Sequence, residues 1–97
     1  MLDKSKYAII GFGVMGKAIV SSLISKGKVD PKNIKVAEPN PEQLALLSKE
    51  FGILGSVDNG EVVKDAEIVI LAVKPQRFDL VAKSIKNLIR PDALVIS

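Results

Sequence analysis

The stretch YAIIGFGVMGKAIV (7–20) decides the fold. Its first half, with Lys6 in front, is a short β-branched apolar run, KYAIIG (6–11), which reads as a buried strand ending on Gly11. From Val14 onward, Met15, Ala18, Ile19, Ser22, Leu23 and Ile24 recur at three- and four-residue steps. That spacing predicts a helix with one apolar face, ending near Lys26 and Gly27. Between the two lie Gly11, Gly13 and Gly16, which read either as a tight strand-to-helix turn or as a grip for a pyrophosphate. As a grip, Gly11 makes the turn, Gly13 admits the anion without a Cβ in the way, and Gly16 lets the helix pack closely. The N–H groups of Val14 and Met15, with the helix dipole behind them, then face the negative charge.

The rest of the chain repeats the alternation. IKVAE (34–38) is a second strand, and NPEQLALLSKEFG (40–52) a second helix. There Asn40 is the expected N-cap, Pro41 the first helical residue and Gln43 the partner in a capping box, with Leu44, Leu47 and Phe51 facing the core. ILGS (53–56) is a short strand or extended link, and DNGEVVKDA (58–66) a short helix capped by Asp58. EIVILAV (67–73) is the most apolar strand. Pro75 opens a helix expected to run to about Ile89, with Phe78, Val81, Ile85 and Leu88 inward, and DALVIS (92–97) is a last strand. Strands alternating with helices require parallel crossovers. The expected fold is therefore α/β: a Rossmann-like, doubly wound parallel sheet of about five strands in the order 3-2-1-4-5, with helices on both faces.

Composition narrows the chemistry. At 97 residues the chain is one domain with an aliphatic core, containing three Phe, one Tyr and no Trp. With neither Cys nor His it has no disulfide, no thiolate and no imidazole base, so no catalytic residue and no metal ligand set is assigned. The basic residues (Lys4, Lys6, Lys17, Lys26, Lys28, Lys32 and onward) are scattered, so nucleic acid is not an expected partner. A net charge of +3 suits an anionic small molecule. The polar opening MLDKSKY is unlike a signal peptide, and no apolar run has the length of a membrane span, which makes a cytoplasmic protein the expectation.

Two further signals accompany the glycines. Glu38 ends the second strand twenty-two residues after Gly16, near the ~20 expected of a carboxylate that binds ribose hydroxyls. It reads otherwise as a solvated charge at a strand end. Accepting from a free 2′-OH and repelling a 2′-phosphate, it favours NADH over NADPH. The second signal is LAVKPQ (71–76), at the carboxyl edge of the fourth strand, where the strand order reverses and ligands sit. Lys74, held extended by Pro75, is placed to neutralise the cofactor, or else is simply solvated. Asn59, at the same edge, is placed to bond the adenosine side, or else is a plain helix cap.

IIGFGVMGKAIVSSLISKG (9–27), DNGEVVKDAEIVILAVKPQ (58–76) and the final LVIS (94–97) resemble the N-terminal domain of pyrroline-5-carboxylate reductase along essentially the whole chain. The run Ala72-Val73-Lys74-Pro75-Gln76, thirteen residues after Asn59, is the most specific piece. Related β-hydroxyacid dehydrogenases share the glycine turn but usually lack Lys-Pro-Gln. The resemblance implies reduction of 1-pyrroline-5-carboxylate to L-proline with NAD(P)H. It also implies cofactor contacts from Gly11, Phe12, Gly13, Val14, Met15 and Gly16, from Asn59, and from Ala72, Val73, Lys74 and Pro75. Family members often carry a small polar residue where this chain has Glu38, and many prefer NADPH. In that family a helical C-terminal domain holds most of the imine-substrate site and the homo-oligomer interface. Residues 1–97 are therefore expected to be the NAD(P)-binding domain of a longer enzyme, inactive alone. The alternatives are a β-hydroxyacid dehydrogenase or deazaflavin-dependent NADP oxidoreductase domain, and a non-catalytic dinucleotide sensor.

Overall fold

Strand β1 (Tyr7–Ile10) is buried along its whole length, as its unbroken apolar run requires. A computed structural model describes residues 4–97, so the first three residues of MLDKSKY lie outside the described residues. Three further strands, β2 (Ile34–Ala37), β3 (Ile68–Leu71) and β4 (Leu94–Ile96), join β1 in one parallel sheet ordered β2-β1-β3-β4. Tyr7 pairs with Ile34 on one side and with Ile68 on the other, which brings the carboxyl ends at Ile10, Ala37 and Leu71 level. The crossovers carry α1 (Val14–Ser25), α2 (Pro41–Phe51), α3 (Asn59–Val63) and α4 (Phe78–Ile85).

Alternation along β1 divides the core between the two faces. Tyr7 and Ile9 pack with Val20 of α1 and Leu47 of α2, while Ala8 and Ile10 pack with Val63 of α3 and with Val81 and Ile85 of α4. This is the doubly wound, Rossmann-like arrangement expected from the alternation.

The expected fifth strand is reduced. ILGS contributes one parallel bridge, Ser56 to Ala37, through Ser56 N–H to the Val36 carbonyl at 2.9 Å and Glu38 N–H to the Ser56 carbonyl at 2.8 Å. It lies on the outer side of β2, where the predicted order puts it. Gly55 weakens a strand there, and Asp58 already caps α3 two residues after Ser56.

Helix α4 also ends early. Pro75–Arg77 forms a tight 3-10 turn and α4 stops at Ile85, short of the expected Ile89. Past Ile85 the chain tightens into a turn in which the N–H groups of Leu88 and Ile89 both donate to the Ile85 carbonyl, at 2.9 and 3.1 Å, so the regular helix is lost before the chain reaches Pro91. Leu88, expected inward, is half exposed as a result, and Leu94, Val95 and Ile96 of the edge strand are exposed as well. In α1 the buried residues are Gly16 and Val20, while Val14 and Met15 stand exposed at its start. Among the described residues no helix is long and apolar enough to cross a membrane.

Candidate functional site

The glycine loop occupies the carboxyl end of β1, at the point where the chain adds β2 on one side and β3 on the other. Gly11 has φ +100°, and a Cβ there would stand 2.7 Å from the Ala72 carbonyl oxygen, so both its conformation and its surroundings require glycine. A Cβ on Gly16 would collide with the Gly11 carbonyl oxygen. The first turn of α1 thus packs on the loop itself, closer than the helix-to-sheet contact expected of this residue. Gly13 differs, since a Cβ there would meet no atom within 4 Å. It is the residue on the open side of the turn.

Gly13 is also the N-cap of α1 and offers no side-chain cap, and the first turn carries no acidic residue. The first helical bond runs from Lys17 N–H to the Gly13 carbonyl at 2.9 Å. The N–H groups of Val14, Met15 and Gly16 precede it, as the orphan donors every helix start leaves. Backed by a twelve-residue helix, they form an anion-seeking surface beside Gly13, the glycine of this loop that leaves room for an anion.

Glu38 sits against this loop with 9% of its surface exposed. Its Oε1 accepts from Phe12 N–H at 2.7 Å, and its Oε2 from Asn40 N–H at 2.9 Å. The carboxylate therefore fastens the glycine loop to the start of α2, and the reading of Glu38 as a solvated charge does not hold. The capping box expected of Gln43 is not formed as read: Asn40 Oδ1 caps Glu42 N–H at 2.8 Å, but the Asn40 N–H that Gln43 would satisfy goes to Glu38. A carboxylate oxygen has more than one acceptor direction, so Glu38 retains capacity toward a hydroxyl.

The facing wall comes from the end of β3. Ala72 N–H donates to the Ile10 carbonyl at 2.8 Å, continuing the ladder one residue past the strand. Lys74 is extended (φ −62°, ψ 145°), as Pro75 dictates, and it caps the 3-10 turn with an exposed side chain. The helix-cap alternative for Asn59 also falls. Asp58 is the cap of α3, accepting from Gly60 N–H at 3.0 Å, and Asn59 is the first helical residue.

These walls enclose a groove of about 500 Å3, within the ~300–1,000 Å3 of small-molecule sites. Of the residues singled out in the sequence, Gly11, Gly13, Glu38, Asn59, Ala72, Val73 and Lys74 border it. Five do not. The Phe12 side chain is buried beneath the loop, edge-to-face with Phe51 at 6.2 Å, so only its backbone serves the site. Gly16 lies behind the turn, Val14 and Met15 project to solvent, and Pro75 sets the turn after Lys74. Pro39, Val57, Arg77 and Val81 also border the groove and were not singled out in the sequence. For Arg77 the available signal was its position, three residues after Lys74 in the same turn. A second hollow of about 130 Å3, between Lys6, Lys32 and Lys35, is at the opposite end of the strands, away from the glycine loop.

The chain is similar to known proteins over nearly its whole length. The family model described as NADP oxidoreductase coenzyme F420-dependent matches residues 6–97. Pyrroline-5-carboxylate reductase of Methanosarcina acetivorans is 38% identical over 96 residues, covering 99% of this chain and 36% of that protein. The Escherichia coli protein of the same name is 39% identical over 94 residues, covering 97% and 35%. The solved pyrroline-5-carboxylate reductase of Coxiella burnetii superposes with a TM-score of 0.81 at 32% identity, over 88% of this chain and 31% of that one. This chain thus spans about a third of the length of the relatives it matches.

Proposed function

We propose, from the premise that the chain belongs to the NADP oxidoreductase coenzyme F420-dependent family, that it is the NAD(P)H-binding domain of a pyrroline-5-carboxylate reductase. The observation that carries this is the groove itself. Orphan N–H groups of α1, the open side of Gly13 and the Lys74 wall converge at the switch point of the sheet. The reaction comes from the relatives, which match nearly all of this chain at 38–39% identity. A bound nicotinamide would supply the hydride that reduces the imine carbon, while the ring nitrogen takes a proton.

In this reading the chain's residues hold and orient the cofactor. The glycine loop takes the pyrophosphate, Lys74 lowers its charge, Glu38 accepts from the adenosine ribose, and Asn59 offers its amide from the start of α3. Val73 and Ala72 support the middle of the dinucleotide. Substrate, proton donor and subunit contacts belong to parts of the enzyme outside this chain, which alone turns over nothing. The compartment is the cytoplasm.

Glu38 makes NADH the preferred cofactor. A 2′-phosphate would meet the like charge of a carboxylate that the N–H groups of Phe12 and Asn40 hold in place, whereas a free hydroxyl could still donate to it. Titrating the chain with both cofactors, followed by nicotinamide fluorescence, tests this. We expect NADH to bind about tenfold more tightly, a difference of ~1.4 kcal/mol. Tighter NADPH binding refutes the assignment of Glu38.

The description of the family model favours one second reading, a domain that exchanges hydride between NADP and a deazaflavin. The full-length product, assayed with pyrroline-5-carboxylate and with reduced deazaflavin, separates the two.

A further inference from the structure

We infer that Arg77 is the adenine-recognising residue of the groove, stacking its guanidinium on the base of the bound dinucleotide. This rests on the dinucleotide reading above and adds the residue that reads the AMP half.

Arg77 immediately precedes α4, its backbone fixed by an N–H bond to the Lys74 carbonyl at 2.8 Å, and it borders the groove. Neither ion pair seen among the described residues, Lys17–Glu50 and Arg90–Asp92, involves it. Glu38, the carboxylate of the groove, has both oxygens engaged by backbone N–H groups. A guanidinium thus lines a ligand-sized groove with no carboxylate assigned to it.

Its place in the fold says what it meets. Helices α3 and α4 pack together on one face, with α3 also against β1 and β2. Asn59, opening α3, and Arg77, preceding α4, therefore border the groove from that face, while Glu38 borders it from the end of β2. Lys74 lies closer to the strand end, three residues past Leu71 and beside the glycine loop, where the pyrophosphate is assigned. With the ribose at Glu38, the base falls among Pro39, Val57 and Val81, an apolar setting that suits a flat ring. Arg suits the position better than Lys would. Its guanidinium is planar, weakly hydrated and stacks on aromatic faces, whereas an ammonium is a compact, strongly hydrated charge.

The test titrates wild type, R77A and R77K with NADH, ADP-ribose, NADPH and inorganic pyrophosphate. Loss of the stack weakens NADH and ADP-ribose by the same factor, about 3- to 30-fold on the usual scale of cation–π contacts, and leaves pyrophosphate unchanged. R77K restores only a minor part. An unchanged NADH affinity in R77A overturns the inference. So does an equal loss for pyrophosphate, which would make Arg77 a general phosphate cation. So does a loss for NADPH tenfold greater than for NADH, which would assign it to the 2′-phosphate. Failure of wild type to bind any dinucleotide removes the cofactor reading and this inference together, whereas wild-type binding that R77A leaves intact removes only this inference.

Discussion

Phe12 N–H donates to Glu38 Oε1 at 2.7 Å, joining two residues 26 apart in sequence at a buried site. With the Asn40 N–H on Oε2, this bond makes one carboxylate the fastener between the glycine loop and α2. Leaving a buried donor unpaired costs about 1–3 kcal/mol. E38Q keeps one acceptor but turns an amide NH2 toward the other N–H, so we expect it to lose ~1–3 kcal/mol. That is a Tm fall on the order of 5–15 °C for a domain of this size. Hydrogen exchange should quicken at the Phe12 and Asn40 amides. Unchanged protection at both would mean that the carboxylate does not hold the loop.

The same substitution separates holding from selecting. Removing the charge while keeping the shape should shrink the NADH-over-NADPH preference to within about threefold, as a carboxylate–phosphate repulsion of ~1 kcal/mol disappears. Competitive titration of E38Q with the two cofactors reads this ratio. A preference as large as in wild type would show that Glu38 does not discriminate.

Alanine at the three glycines should give three different outcomes. G13A adds a methyl where no atom lies within 4 Å, at a residue with φ −85°, so stability should change by less than about 0.5 kcal/mol. Its NADH affinity should nonetheless fall by tenfold or more, because the methyl would enter the space proposed for the pyrophosphate. G11A and G16A collide with backbone oxygens and should fail to fold or lose several kcal/mol. Denaturant unfolding beside NADH titration distinguishes the cases.

Lys74 should act through charge. Cofactor affinity should fall as salt rises, because an exposed ammonium facing a pyrophosphate is screened within about 8–10 Å at physiological ionic strength. In K74Q affinity should be lower and its salt dependence shallower. A slope equal to wild type would show that Lys74 does not face the phosphates.

Much of this was legible because local chemistry and tertiary role coincide. The run from Tyr7 to Val20 has a strand period, a turn that needs glycine and a helix period in immediate succession, and the sheet order follows from its repetition. The misses are places where a distant partner decides. Gln43 had the spacing of a capping box, but Glu38 reaches Asn40 N–H first. ILGS had strand-forming residues, but only Ser56 pairs before Asp58 starts α3. Leu88 continued the periodicity of α4, yet its N–H and that of Ile89 both turn onto the Ile85 carbonyl, and the regular helix ends there. Arg77 had only its place three residues after Lys74 to mark it, and the packing of α3 beside α4 is what brings it onto the groove.

The most direct measurement is an amide NMR titration of the chain with NADH. Saturable shifts should concentrate at Gly13, Val14 and Met15, at Glu38, and from Ala72 to Lys74, with little change at Lys6, Lys32 and Lys35 in the hollow at the far end of the strands. No saturable shift up to millimolar NADH, or shifts centred on those three lysines, would mean that the glycine loop is only a turn.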